Sequence, residues 1–418
     1  MDTLKKKKAF LAVLCLSLVF SGCGLSKANR SYSKAMSYYE NGEYENAEKS
    51  FIDAIKANPD KAEFYLDYGF TLIKLSRYED AIKEFESIIM DKEIAIVKQN
   101  NKKAYRGIGI AYLYAQSYEE AIKNFDLALA ISEEKNLDTD ILYYKGNALE
   151  RSGNLEEASN IYSEILETEK DDTAIYNARA NINRILGNYE ESIKDYDKAI
   201  EISKGDFDLY FGKFAALKEL SRTAEAEEVL KIAASLPVHT ERDSFELAKV
   251  YFYQKNYDHA KLQLAQSLKN GFIEANYFLG EISIEEGDFK QAIQYFETFE
   301  ESGGMVSAMF YNQLLTCYLN EEEYDKAKNC LKKAKKYSDV TIEQQLLRNE
   351  IILLEKTGDF KEAYEKMKKY LVRYPDDVDA KKDATFLKTR VEGASNETNT
   401  NQTNQTEQVG TSETVKKP

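Results

Sequence analysis

The sequence predicts an all-α protein: an α-solenoid of about ten stacked helix–turn–helix units, closed by one more helix near the C-terminus. Three observations predict it. The stretch Tyr44 to Pro59, YENAEKSFIDAIKANP, sets Ala47, Phe51, Ala54 and Pro59 at offsets that fit one helix face and a stop. The same pattern returns as Ala81/Phe85, Ala121/Phe125/Ala128, Ala158/Tyr162, Ala226/Leu230/Ala233, Ala292/Phe296 and Ala363/Met367/Pro375. Its anchor falls at 47, 81, 121, 158, 192, 226, 260, 292, 327 and 363, at intervals of 34, 40, 37, 34, 34, 34, 32, 35 and 36. Finally, the chain holds only 4 prolines, each of which would cost about 3 kcal/mol inside a helix.

The chain has 418 residues, too many for one compact core, but a repeat array escapes that limit because each unit packs on its neighbours. Hydrophobic content of 43% with a mean hydropathy of −0.56 suits amphipathic helices with wet outer faces. Thirty tyrosines and no tryptophan fit a repeat that packs with Tyr. The net charge is −15; without residues 1–22, 53 basic and 71 acidic residues remain, a charge of −18. That balance argues against nucleic acid, which requires basic stripes, and against broad adhesion to anionic lipid. Cysteines at 15, 23, 317 and 330 form neither a disulfide framework nor a metal-knuckle spacing.

At the N-terminus, Lys5 to Lys8 precede an apolar run from Ala9 to Phe20, followed by Ser21-Gly22-Cys23. The run is too short for an ordinary membrane span. This segment resembles a bacterial lipoprotein signal, with Phe20 replacing the usual Leu. The resemblance implies cleavage after residue 22, a diacylglyceryl group (and palmitate) on Cys23, and a folded part held outside the cytoplasm on the cell membrane. The alternatives are an ordinary secretory signal with an incidental Cys, or an uncleaved anchor. Cys15 belongs to the apolar run. Gly24 carries no retention signal of the Asp type.

The two-helix period near 34 residues resembles the tetratricopeptide repeat, which implies a right-handed superhelix. On that frame residues 1–22 are the signal, 23–27 a tether, 28–377 ten repeat units, 378–392 a capping helix and 393–418 a disordered Asn/Thr/Gln-rich tail. The first unit places a helix over about Arg30–Glu40, ended by Gly42, and a second from Tyr44 to Pro59. The second unit carries Tyr65, Gly69, Tyr78 and Phe85. Six extra residues near Asp91–Asn101 precede the third, as a longer second helix or a protruding loop. The third, from Lys102, carries Tyr105, Gly109, Tyr112 and Tyr118, and the fourth Gly146, Gly153 and Tyr162. The fifth carries Tyr176, Ala180, Gly187 and Tyr196, with Ser192 at the anchor. The sixth departs from the pattern, with Phe214 at the small eighth position and an early stop at Pro237; it is either a degenerate repeat with a longer loop or a weak joint. Units seven to ten keep Ala248 and Tyr257, Gly280 and Phe289, Tyr311 and Tyr324, and Gly358 and Phe360. Val378–Val391 reads as a helix that covers the last apolar face. From Gly393 no apolar periodicity remains, and the sequons at Asn396, Asn401 and Asn404 read as chance products of that composition.

No catalytic or phosphate-binding motif occurs, and no EF-hand loop. His239 and His259 lie in no metal-ligand cluster, so no metal and no cofactor is expected beyond the lipid on Cys23. Cys317 and Cys330 could be bridged or be buried thiols. The resemblance implies that positions two, five, nine, twelve and thirteen of each first helix line a concave groove. These are Lys103 and Arg106; Tyr143, Asn147, Glu150 and Arg151; Asn177, Asn181 and Arg184; Phe245, Lys249, Phe252 and Tyr253; and Tyr277, Glu281 and Glu285. Asn can pair with both backbone groups of an extended peptide and Arg with a carboxylate; equally, these side chains could merely solvate the surface. The clamp of chaperone-tail binders is absent, because Asp67 stands where it needs Asn.

The function expected is a non-catalytic, membrane-anchored interaction scaffold at the bacterial cell envelope. Its partners would be envelope proteins or extended peptide segments, with self-association open. The alternative is a ligand-binding lipoprotein that presents a peptide or glycan to a transporter or cell-wall enzyme, although no two-lobed α/β pattern occurs. A cell-wall enzyme lacks room for a catalytic domain.

Overall fold

The computed structural model describes residues 26–337 and 340–392. Among them twenty-one α-helices follow one another and no strand occurs. The expectations for the signal segment, Cys23 and the tail lie outside the described residues.

The described chain divides into two compact bodies, one ending at Val229 and the other beginning at Leu230. The first holds α1 (26–40), α2 (Tyr44–Ala57), α3 (Ala62–Lys74), α4 (Tyr78–Glu86), α5 (Ala95–Tyr114), α6 (Tyr118–Leu129), α7 (Asp138–Ser152), α8 (Leu155–Thr168), α9 (Thr173–Ile185), α10 (Tyr189–Ile202) and α11 (Phe207–Glu219). The division falls inside α12 (Thr223–Ala234), in the sixth unit, where the sequence leaves its pattern. The second body continues through α13 (Glu241–Tyr253), α14 (Tyr257–Lys269), α15 (Ala275–Glu285), α16 (Phe289–Glu301), α17 (Ala308–Asn320), α18 (Tyr324–Ala334), α19 (Glu343–Lys356), α20 (Phe360–Arg373) and α21 (378–392).

All ten anchors are fully buried, Ser192 included. A hydroxyl there needs a partner, because an unsatisfied buried donor costs about 1–3 kcal/mol. Ser192 Oγ finds it by donating to the Ala180 carbonyl at 2.7 Å. One turn beyond each anchor sits a large side chain, as in Phe51, Phe85, Phe125, Tyr162, Tyr196 and Phe296, each at 1% exposure or less. These rings lie where the facing helix has no side chain. A Cβ on Gly69 would stand 2.5 Å from the Phe85 ring, one on Gly109 2.5 Å from Phe125, and one on Gly280 2.6 Å from Phe296. Gly107 and Gly212 meet the rings of the preceding units, Phe85 and Tyr196, in the same way. In α11 Gly212 holds the place that Gly107 holds in α5, against the preceding unit's ring, while the eighth position is Phe214.

Every turn inside a repeat reverses through one left-handed residue. Five are glycines, at 42, 153, 187, 287 and 358, as turn chemistry favours. The other five are Ser76, Gln116, Ser221, Lys255 and Glu322, with φ between 57° and 62°. The turn closes the same way in both classes: Asn154 N–H reaches Leu149 O at 2.9 Å after Gly153, and Asn256 N–H reaches Tyr251 O at 2.9 Å after Lys255.

Two helix starts differ from expectation. α1 begins four residues before Arg30. The extra residues before the third unit form neither a longer second helix nor a simple protrusion. They extend the next helix backward, so α5 spans 20 residues. No Pro or Gly interrupts Ala95–Asn101, and Asn101 ties the preceding loop to the helix through both Met90 backbone groups, at 3.1 and 2.7 Å.

Gly109→Ala is expected to lower the unfolding free energy by about 1–3 kcal/mol, the cost of overpacking a dense core. In an open helix the same change would stabilise by up to about 1 kcal/mol. Denaturant unfolding of the variant distinguishes the two signs.

Candidate functional site

In the first body α1, α3 and α5 enclose an open hollow of about 710 Å³. Its apolar lining includes Met36, Leu66, Phe70 and Ile96. Phe70 is held edge-on by Phe85, with ring centres 5.2 Å apart, whereas Ile96 is 59% exposed. Ile96 and Asn100 reach the hollow because α5 starts early.

Lys103 and Arg106, both expected in the groove, line this hollow. Each is already engaged. Lys103 pairs with Glu134 at 2.9 Å, and Arg106 with Asp140. The Arg106 guanidinium also lies over Phe70 and Tyr144, at 5.5 and 5.7 Å from the ring centres. Tyr32, Phe70 and Asp67 line it too. None of the three is among the expected groove positions, which begin at the third unit; the sequence marks Asp67 only as a mismatch to the chaperone-tail clamp.

Further along the first body, Tyr143 is 40% exposed, with its ring edge-on to Tyr144. Asn147 is half-buried, Arg151 is exposed, and Glu150 accepts a hydrogen bond from the buried Tyr162 hydroxyl at 3.2 Å. Asn177 and Asn181 stand together, but much of their bonding capacity points inward. The Asn181 amide donates to Asn177 O at 2.9 Å and to Asn177 Oδ1 at 3.1 Å, while its Oδ1 accepts from Tyr196 at 2.8 Å. Arg184 Nε is buried with no hydrogen-bond partner among the described residues. Beneath this row Arg179 clasps the buried Asp195 through two bonds, at 2.8 and 2.6 Å, and reaches Ser163 at 2.9 Å.

In the second body Phe245 is core rather than surface. It is 2% exposed, stacked on Phe272 at 5.4 Å and edge-on to Phe278 at 5.9 Å. Lys249 pairs with Glu246. Phe252 is half-buried against Tyr253 and Phe278, and Tyr253 is 40% exposed.

Polar side chains join successive first helices here: Tyr277 to Gln313 at 3.1 Å, Asn312 to Gln345 at 3.1 Å, and Asn349 to Asn312 at 2.8 Å. Glu281 lies within this row. Its Oε1 is buried with no hydrogen-bond partner among the described residues. Burial is the main cause that pushes its carboxyl up to about 7; Gln313 opposes the rise and Glu285 adds to it.

His259 Nδ1 meets Asn256 at 2.9 Å, and His239 offers only its backbone to Asp243. Among the described residues no group of three or more His, Cys, Asp or Glu is placed to hold a metal ion. Cys317 and Cys330 are buried, unbridged thiols, both pushed up to about 12, chiefly by burial. No described helix is long and apolar enough to cross a membrane.

Family models described as tetratricopeptide repeat match residues 32–95 and 245–304, 112–182, 173–206 and 310–339. No curated protein matches the chain by sequence. Among solved structures, a tetratricopeptide repeat protein from Parabacteroides merdae ATCC 43184 is 15% identical. It covers 61% of this chain and 99% of its own, with a TM-score of 0.51, which shows a shared fold. The Cut9–Hcn1 assembly of the APC/C is 13% identical over 92% of this chain and 94% of its own, at 0.48. YrrB, described as a TPR protein with an unusual peptide-binding site, is 20% identical over 44% and 89%, at 0.37.

Glu281 generates a pH prediction. Its folded value lies above the ordinary 4.5, so between about pH 4.5 and 7 the folded chain binds more protons than the unfolded one. Stability from this group is complete below pH 4.5, falls as pH rises to about 7, and is level above. Glu281→Gln removes that loss: at pH 8 the variant should exceed wild type by roughly 1–3 kcal/mol, with no gain at pH 4. Melts of both proteins across pH check this. Curves that stay parallel would contradict it.

Proposed function

We propose that this chain, which belongs to the tetratricopeptide-repeat family, is a non-catalytic interaction scaffold held at the bacterial cell envelope, binding segments of other proteins along the faces of its first helices. The observation that carries the reading is the hollow between α1, α3 and α5, large enough at about 710 Å³ to seat two or three side chains of an extended segment. Its lining joins apolar side chains to a few fixed polar groups, the usual make-up of a recognition pocket. Ile96 supports the same reading. It is a large apolar side chain left more than half exposed on the stretch of α5 that precedes the third unit. The anchor rests on residues 5–23: a basic stretch, a short apolar run, small residues and then Cys23, which would carry the lipid.

Two tests separate these parts. Full-length wild type, Ile96→Asp, and Val372→Asp as an equally polar control, since Val372 is 85% exposed in the second body, are used to capture proteins from solubilised membranes. The same identified protein should be retained by wild type and the control and reduced at least about tenfold by Ile96→Asp, as loss of a central apolar contact produces. Equal retention by all three contradicts the hollow as the working surface. For the anchor, Cys23→Ser should abolish incorporation of labelled palmitate; unchanged labelling contradicts it.

A further inference from the structure

The charges around the hollow are unevenly satisfied. Three basic side chains line it, and each is paired with a carboxylate: Lys61 with Glu63 at 3.2 Å, Lys103 with Glu134 at 2.9 Å, and Arg106 with Asp140. Asp67, on α3, is different. It lines the hollow, and among the described residues no basic side chain is paired with it. Its one side-chain bond comes from the Tyr32 hydroxyl, which donates to Oδ2 at 2.7 Å. Its backbone oxygen is taken by Thr71 at 2.8 Å.

A carboxylate withdrawn from water gains most from a cation that arrives with its own hydrogen bonds. Phe70 and Met36 stand in the same lining, and apolar walls strengthen such a contact by lowering the local dielectric. Burial pushes the Asp67 carboxyl above the ordinary carboxylate range, against the Tyr32 bond and the more distant Lys103, which favour ionisation. The net charge of −15 draws basic partners to the chain from a distance. Acidic segments meet the opposite conditions: Lys103 and Arg106 are already spent on Glu134 and Asp140.

We propose that the hollow of the first body selects a protein segment that presents a lysine or arginine side chain to Asp67, with an apolar side chain beside it against Met36, Phe70 and Ile96. The inference rests on the reading of the hollow as a binding groove and adds the chemistry of its partner.

The probe is a set of end-blocked nonapeptides with random flanks, each carrying one central leucine and, two residues away, lysine, norleucine or glutamate. End-blocking removes terminal charges. Binding to the full-length chain is read by fluorescence anisotropy. The lysine set should bind about tenfold more tightly than the norleucine set, as a partly desolvated ion pair does, and the glutamate set should bind most weakly. In Asp67→Asn, which keeps an acceptor for Tyr32, lysine should fall to the norleucine level while binding of the norleucine set stays unchanged. Equal binding of lysine and norleucine to wild type overturns the proposal and leaves the groove reading standing, without needing the variant. A lysine preference that survives Asp67→Asn also overturns it. Binding of none of the peptides overturns the groove reading and the proposal together.

Discussion

A bulky ring pressed against a backbone that carries no side chain is the contact on which the rest of this structure depends. Phe85, Phe125, Tyr162 and Phe296 occupy space that a Cβ at Gly69, Gly109, Gly146 and Gly280 would fill. That fit brings the two helices of a repeat close together and buries the alanine anchors completely. Phe85 meets Gly107 of the next unit as well as Gly69 of its own. One side chain therefore sets both the packing within a repeat and the step to its successor. Because the contact consumes the inner edges of both helices, the outward edges of the first helices are left to face solvent.

Those outward edges are where charge becomes informative. Most ionic groups on them are matched locally, often to a residue about one repeat away, as in Lys103 with Glu134 and Arg106 with Asp140. Two carboxylates without a basic partner stand out by their setting. Asp67 in the first body faces an open hollow with only a tyrosine hydroxyl on it. Glu281 in the second body has one buried oxygen with no hydrogen-bond partner among the described residues. Desolvation raises both, but the consequences differ by setting. Asp67 borders open space that a partner can enter. Glu281 lies within a row of polar side chains, where the simplest relief is to hold its proton.

The fold was legible because its signals are local and periodic. An alanine every 34 or so residues and an aromatic four residues later report one helix face, and all ten anchors lie where that pattern puts them. Glycine turns were legible for the same reason at 42, 153 and 187. The turns at Ser76, Gln116, Ser221, Lys255 and Glu322 were not, since turn chemistry does not select those residue types for a left-handed φ. The site was less legible. Frame positions found Lys103, Arg106 and Asn181, but the ion pairs and amide bonds that engage them run between turns or repeats, which spacing alone does not reveal. Phe245 occupies a frame position and is nonetheless core, because Phe272 and Phe278 close over it. Asp67 was read as a mismatch to one known clamp; its meaning emerged only with the cations around it placed.

The most direct test of the central claim, that the first-helix faces are the working surface, is site-specific photo-crosslinking in native cells. Crosslinkers would replace Tyr143 and Arg184 in the first body and Phe252 in the second, with controls at Lys194 and at Leu262, which is 70% exposed on a second helix. The account predicts one recurrent protein captured from the first-helix positions and not from the controls. Capture of that protein from Lys194 or Leu262 alone would contradict it and move the working surface to the second helices.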